Sequence, residues 1–328
     1  MRLALRTPCS KERLYQVNID DIRRIGVVGA GLMGHGIAQE FALAGYDVRL
    51  HDLSEDKLQQ ATKSIHSNLH MLTEIGLVSH EQAEPILKRI HSSTILPDVV
   101  AEADIVIEAI FEDLALKQKM FQALDQLCPS RTILASNTST LLPSQLAAAT
   151  QRPDKVLVAH YFNPPYLLPL VEVVRGEETS DATITIVSEL LTRVGKRPAI
   201  VQKEAPGFIG NRLQTALLRE ALSIVQQGIA RPQDVDIVIK NGFGRRLAAV
   251  GVFESYEMAG WDLILAVMAN LLTEIESSSE ISPLLSQKIE RGELGIKTGK
   301  GFYDWTPESA EVLQQRVAHA LIKIAQWS

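Results

Sequence analysis

Short apolar runs rich in β-branched residues alternate with longer stretches of helical spacing over the first two thirds of the chain. The runs at 24–29, 47–51, 104–109, 132–136, 156–160 and 170–174 read as strands. Apolar positions recurring at helical spacing predict helices at 34–44, 54–75, 81–90, 114–127 and 181–194. Strands apolar on both faces, separated by helices, point to an α/β fold with a doubly wound, mostly parallel sheet covered on both sides. The stretch 54–90 is long for one crossover and predicts two helices protruding as an arm. After Pro206-Gly207 the strand signals fade. Helical spacing then dominates at 208–227, 232–241 and 260–275, punctuated by Gly228, Arg231-Pro232 and Gly242.

The first strand runs into Gly29-x-Gly31-x-x-Gly34, a helix follows, and the second strand ends in Asp52. A lone glycine triad is weak evidence, but strand, helix and acid in this order are the context that gives it meaning. Gly29 permits the tight turn, Gly31 lets backbone amides approach a pyrophosphate, and Gly34 lets helix and strand pack closely. The helix N-terminus adds partial positive charge. Asp52 is placed to accept hydrogen bonds from ribose hydroxyls, favouring NAD over NADP because a 2′-phosphate would meet a like charge. The chain therefore divides into an N-terminal extension (1–20), a Rossmann-type NAD-binding domain (21–204) and a smaller all-helical C-terminal domain (205–328). Phe208, Ile209, Leu213, Ala216, Leu217 and Ala221 form an apolar stripe on the helical part wide enough to suggest a homodimer through that domain.

Length and composition narrow the class. A chain of 328 residues accommodates two domains at roughly 100–200 residues each. The net charge of −6 argues against nucleic acid as a partner, since counterion release needs a basic face. Two cysteines, Cys9 and Cys128, lie far apart and suggest neither a disulfide framework nor a thiolate metal site, which fits a reducing, cytoplasmic setting. No apolar run approaches the roughly 20 residues that span a bilayer. The first residues lack the apolar core of a secretory signal. His66 and His70 share a helix face but lack the glutamate of a hydrolase motif and a third ligand, so no metal is expected.

Hydride transfer to a dinucleotide needs a group that handles the accompanying proton. His160 ends an apolar strand, which in an open α/β sheet points toward the crevice where ligands bind. An imidazole ordinarily titrates near neutral pH and can take a hydroxyl proton or return it to a carbonyl. Glu172 is an acid embedded in the apolar run Leu-Val-Glu-Val-Val, where burial is costly without a partner. A charge-assisted bond to the imidazole would supply that partner.

Several motifs together resemble the L-3-hydroxyacyl-CoA dehydrogenase family. They are Gly-Ala-Gly-Leu-Met-Gly-His-Gly-Ile-Ala (29–38), Ala-Ser-Asn-Thr-Ser (135–139), His-Tyr-Phe-Asn-Pro (160–164), Leu-Val-Glu-Val-Val (170–174), Ala-Pro-Gly-Phe-Ile-Gly-Asn-Arg (205–212) and Lys-Thr-Gly-Lys-Gly-Phe-Tyr-Asp (297–304). The resemblance runs in order from about residue 24 to 305. It implies His160 as general base paired with Glu172, with Ser139 and Asn211 hydrogen-bonding the substrate oxygen. It further implies NAD held by Gly29, Gly31, Leu32, Met33, Gly34, Asp52, Glu112, Lys117 and Asn137. The reaction implied is NAD-dependent oxidation of a short-chain L-3-hydroxyacyl-CoA, as in fatty-acid β-oxidation.

Two stretches depart from the acyl-CoA pattern. Residues 66–79 carry no lysine or arginine to meet the CoA phosphates. Residues 241–254 resemble the lambda-crystallin/L-gulonate 3-dehydrogenase branch, in which Arg245 and Arg246 are candidates to clamp a free substrate carboxylate. A free polar 3-hydroxy acid is thus the alternative substrate. A non-catalytic NAD-binding structural protein is the alternative class.

Overall fold

The computed structural model describes residues 18–325 and Trp327. The expected N-terminal extension therefore lies outside the described residues except for 18–20. The chain divides into two compact units, residues 1–209 and 210–328.

The first unit is built on an eight-stranded sheet: β1 (Arg24–Val28), β2 (Asp47–His51), β3 (Ile90–Ser93), β4 (Ile105–Glu108), β5 (Ile133–Ser136), β6 (Val156–Tyr161), β7 (Leu170–Arg175) and β8 (Arg197–Val201). Their order is β3-β2-β1-β4-β5-β6-β7-β8. All neighbours are parallel except β6 and β7. Strands β3 and β8 carry no clear apolar alternation and went unseen in the sequence; each sits at an edge, where one neighbour and partial exposure suffice.

The helices are α1 (Gly34–Leu43), α2 (Glu55–Glu74), α3 (His80–Leu87), α4 (Leu96–Val100), α5 (Leu114–Leu127), α6 (Pro143–Ala147) and α7 (Asp181–Arg193). Alternate strand residues feed opposite faces of the sheet. Ile25, Val27, Ile105, Ile107, Leu157, Ala159 and Tyr161 share one core with α1, α2 and α7. Val28, Val106, Leu134 and Val156 share the other with Phe121 and Leu124 of α5. The long crossover is indeed two helices, α2 and α3. Rather than standing free, they press Leu58, Ala61, Ile65, Leu69, Leu72 and Ile86 into the core beside α1, and Asn68 Nδ2 donates to Gln39 Oε1 of α1 at 3.0 Å.

The second unit comprises α8 (Gly210–Gln226), α9 (Pro232–Asn241), α10 (Phe243–Leu247), α11 (Val252–Glu257), α12 (Trp261–Leu271), α13 (Pro283–Glu290) and α14 (Pro307–Ala325). Its α12 reads Trp-Asp-Leu-Ile-Leu-Ala-Val-Met-Ala-Asn-Leu and has no buried residue. No helix among the described residues is long and apolar enough to cross a membrane.

The first compact unit runs through Ile209, past Pro206-Gly207. The reason is packing: Phe208 is buried with Val158, Val174 and Val201 on the sheet of the first unit.

Candidate active site

The glycine turn sits at the carboxyl end of β1, beside β4, where the sheet order reverses. Gly29 has φ +105°, and a Cβ there would lie 2.5 Å from the carbonyl oxygen of Ala109. A Cβ at Gly34 would collide with the carbonyl of Gly29, so α1 starts close against the turn only because no side chain intervenes. Gly31 differs: a Cβ there would meet no atom of the described residues within 4 Å. The space over Gly31 is thus open to a ligand beside the first turn of α1, which fits a pyrophosphate. Leu32 is exposed, whereas Met33 packs against the core. Asp52 closes this turn, Oδ2 accepting from Ala30 N at 3.0 Å and Oδ1 from Ser54 N at 3.2 Å.

Beside it, the ends of β4 and β5 are joined by carboxylates. Glu108 and Lys117 are both buried, with Nζ 2.6 Å from Glu108 Oε1. Ser136 Oγ donates to Glu108 Oε2 at 2.6 Å, and Lys117 Nζ also donates to Ile110 O at 3.2 Å. The Lys117 ammonium is enclosed at the first turn of α5, 3.5 Å from Glu112 Oε2. Glu112 Oε1 accepts from Thr138 Oγ1, Ser139 N (3.1 Å), Thr140 N (3.2 Å) and Thr140 Oγ1 (2.9 Å). Burial pushes the Glu112 carboxyl up, but the hydroxyls of Thr138 and Thr140, Lys117 and the Ser139 amide together hold it below the usual carboxylate range. Glu112 is therefore the clasp of the loop that carries Ser139.

Asn137 begins that loop, and its Oδ1 accepts from Tyr161 N at 2.9 Å, tying it to the strand of His160. His160 and Glu172 are direct cross-strand partners in the antiparallel β6–β7 pair, so their side chains emerge on one face. Nδ1 of His160 lies 2.7 Å from Glu172 Oε2, with both residues buried. Against a carboxylate, Nδ1 carries the proton and Nε2 is left as the basic nitrogen. Phe162 and Phe208 flank the imidazole at 4.8 and 5.7 Å between ring centroids. Phe208 has φ +48°, the one positive value for a non-glycine residue among those described. Burying its ring contributes about 1.5–3 kcal/mol, enough to offset the roughly 1–2 kcal/mol of a left-handed backbone.

Asn211 lies in the first turn of α8, and Arg245 and Arg246 on α10, all in the second unit. Both arginines are exposed, and among the described residues neither guanidinium has a hydrogen-bond or ion-pair partner. Sequence reasoning missed Glu108. Its signal was an acid closing the apolar run Ile105–Ile107. It also missed the amide of Ile209, which donates to Glu172 Oε1 at 2.9 Å and has no signal in side-chain identity.

The fold and these ends of strands agree with what the chain is similar to. Residues 24–205 match the family model described as 3-hydroxyacyl-CoA dehydrogenase, NAD binding domain, and residues 207–305 match the 3-hydroxyacyl-CoA dehydrogenase C-terminal domain. The chain belongs to the 3-hydroxyacyl-CoA dehydrogenase family. It is an NAD-dependent oxidoreductase, as the family is.

Among the family's members, the probable 3-hydroxybutyryl-CoA dehydrogenase of Bacillus subtilis is 37% identical over 291 residues, covering 88% of this chain and 100% of that protein. The 5-formyl-3-hydroxy-2-methylpyridine 4-carboxylate 5-dehydrogenase of Mesorhizobium japonicum is 30% identical over 303 residues, covering 92% and 97%. The crystal structure of a 5-dehydrogenase of that pyridine carboxylate, described as an NAD+-dependent dismutase, superposes with a TM-score of 0.87 at 31% identity, covering 93% of this chain and 98% of that one. For the (S)-3-hydroxybutyryl-CoA dehydrogenase of Ralstonia eutropha the TM-score is 0.73 at 36% identity, covering 87% and 100%.

Proposed function

We propose that the chain oxidises the 3-hydroxyl of a short-chain L-3-hydroxyacyl-CoA to the 3-oxo product, with His160 as general base. The observation that carries this reading is the 2.7 Å contact between His160 Nδ1 and Glu172 Oε2 in a buried pair. Glu172 keeps Nδ1 protonated and leaves Nε2 to take the hydroxyl proton. Its negative charge then stabilises the imidazolium that forms. Bound NAD supplies the hydride acceptor; Gly29, Gly31, Leu32, Met33, Gly34 and Asp52 would hold it at the glycine turn. Glu112, Lys117 and Asn137 would order the loop at its nicotinamide end, with Ser139 on that loop meeting the substrate oxygen; Asn211 is assigned to the substrate by its Gly-Asn-Arg motif alone.

A second reading, a free polar 3-hydroxy acid, is favoured by Arg245 and Arg246, which have no partner among the described residues, and by the absence of lysine and arginine over 66–79. The similarity to a dehydrogenase of a pyridine carboxylate adds to it. NADH formation with L-3-hydroxybutyryl-CoA and with a panel of free 3-hydroxy acids separates the two. Turnover of the thioester that survives R245A and R246A supports the first reading. Turnover of free acids alone, lost in those variants, replaces it with the second. NAD binding with no turnover of either class overturns both substrate readings.

The exposed apolar α12 supports a homodimer in which a second copy covers that helix. Sedimentation at micromolar concentration tests this; a monomer would remove it. The described cysteine, Cys128, is unpaired, and with no spanning helix among the described residues this supports a cytoplasmic place.

A further inference from the structure

Glu172 divides its two oxygens between different tasks. Oε2 faces His160 Nδ1, and Oε1 accepts the backbone N–H of Ile209. Ile209 is the last residue of the first unit, and Gly210 opens α8. The residues before it form a tight turn with Gly207 at φ +77°, Phe208 at φ +48° and Phe208 N donating to Ala205 O at 3.0 Å. Phe208 anchors that turn: its ring is buried among Val158, Val174 and Val201, and lies 5.7 Å from the imidazole. Strained backbone held by surrounding packing at a reactive pair is the pattern expected of a positioning element.

We propose that Phe208 is a positioning residue. By pinning the turn it aims the Ile209 amide at Glu172 and thereby fixes the orientation of the His160–Glu172 pair. The inference rests on His160 being the base. It adds that the chain segment leading into the second unit is built into the dyad.

The test uses the NAD-loaded protein with Phe208→Ala, Phe208→Leu, Gly207→Ala and, as the control for the parent reading, His160→Gln. Two quantities are read: kcat against the KM for NAD, and the downfield NMR signal of the His160 Nδ1 proton shared with Glu172. Phe208→Ala is expected to lower kcat between about 10-fold and 100-fold, the range for a small misplacement of reacting groups. The KM for NAD stays within about two-fold, because the glycine turn lies elsewhere in the sheet and makes no contact through this ring. The Nδ1 signal weakens in parallel, and Phe208→Leu, which refills the site, restores most of both.

If Phe208→Ala folds yet keeps the parent kcat and Nδ1 signal, the ring is packing alone and the proposal is overturned. If it does not fold, Gly207→Ala decides, since it strains the same turn while leaving every dyad contact chemically intact. Loss of kcat and signal there supports the proposal; parent values refute it. Turnover retained in His160→Gln would instead remove the base assignment. The effect of Phe208 on the Nδ1 signal is read separately from that result.

Discussion

His160 and Glu172 are direct cross-strand neighbours in the one antiparallel pairing of the sheet, and this register brings Nδ1 and Oε2 to 2.7 Å. Had β7 joined in parallel like the other strands, the two side chains would not share this pairing. His160→Gln should lower kcat by about 10²–10⁴-fold, the usual worth of a general base, with NAD affinity retained. Glu172→Gln should lower kcat comparably. An amide nitrogen facing Nδ1 forces that atom to accept, so the proton moves to Nε2 and the base is lost. Steady-state kinetics with a parallel NAD titration checks both; parent kcat in either variant refutes the assignment.

Asp52 accepts from Ala30 N and Ser54 N, so it shapes the turn in addition to the ribose contact proposed for it. Asp52→Ala should weaken NAD binding by about 10–100-fold, the value of one or two hydrogen bonds to a charged group. Discrimination against NADP should shrink, since the like charge is gone. Fluorescence titration with both dinucleotides measures this. An unchanged NAD-to-NADP ratio would show that Asp52 serves the turn alone.

Lys117 and Glu108 are a buried pair with side-chain exposures of 1% and 0%. Lys117→Met leaves Glu108 enclosed without its cation and should destabilise the protein by about 3–5 kcal/mol. Adding Glu108→Gln should recover part of that loss, because the uncompensated charge goes with it. Urea denaturation across the double-mutant cycle reads the coupling. Additive single effects would count against it.

Glu112 is held below its ordinary value of 4.5 chiefly by the threonine hydroxyls, against the opposing push of burial. A depressed folded-state value means its stabilising contribution is complete above the unfolded value and is lost as pH falls through the folded one. Stability should therefore decline below about pH 4.5, and Glu112→Gln should flatten that decline. Thermal melts of both proteins between pH 3 and 7 make the comparison. The same slope in both would place the acid sensitivity elsewhere, Asp47 being another carboxyl held low by its arginines despite burial.

The local order of the chain determined a great deal by itself. Apolar runs of strand length, helical spacing between them, and glycines where β1 turns into α1 are short-range patterns, because backbone conformation and one-sided burial are set within a few residues. They located six of the eight strands, the glycine turn, Asp52, and the acid and imidazole of the dyad. Tertiary structure alone decided the rest, since it depends on which distant segments become neighbours. The antiparallel register that pairs His160 with Glu172, the four donors gathered on Glu112, the enclosure of Lys117 by Glu108, and the Ile209 amide on Glu172 are contacts across the fold. Edge strands β3 and β8 escaped for the same reason: half-exposed residues need no alternation, and a neighbouring strand defines them.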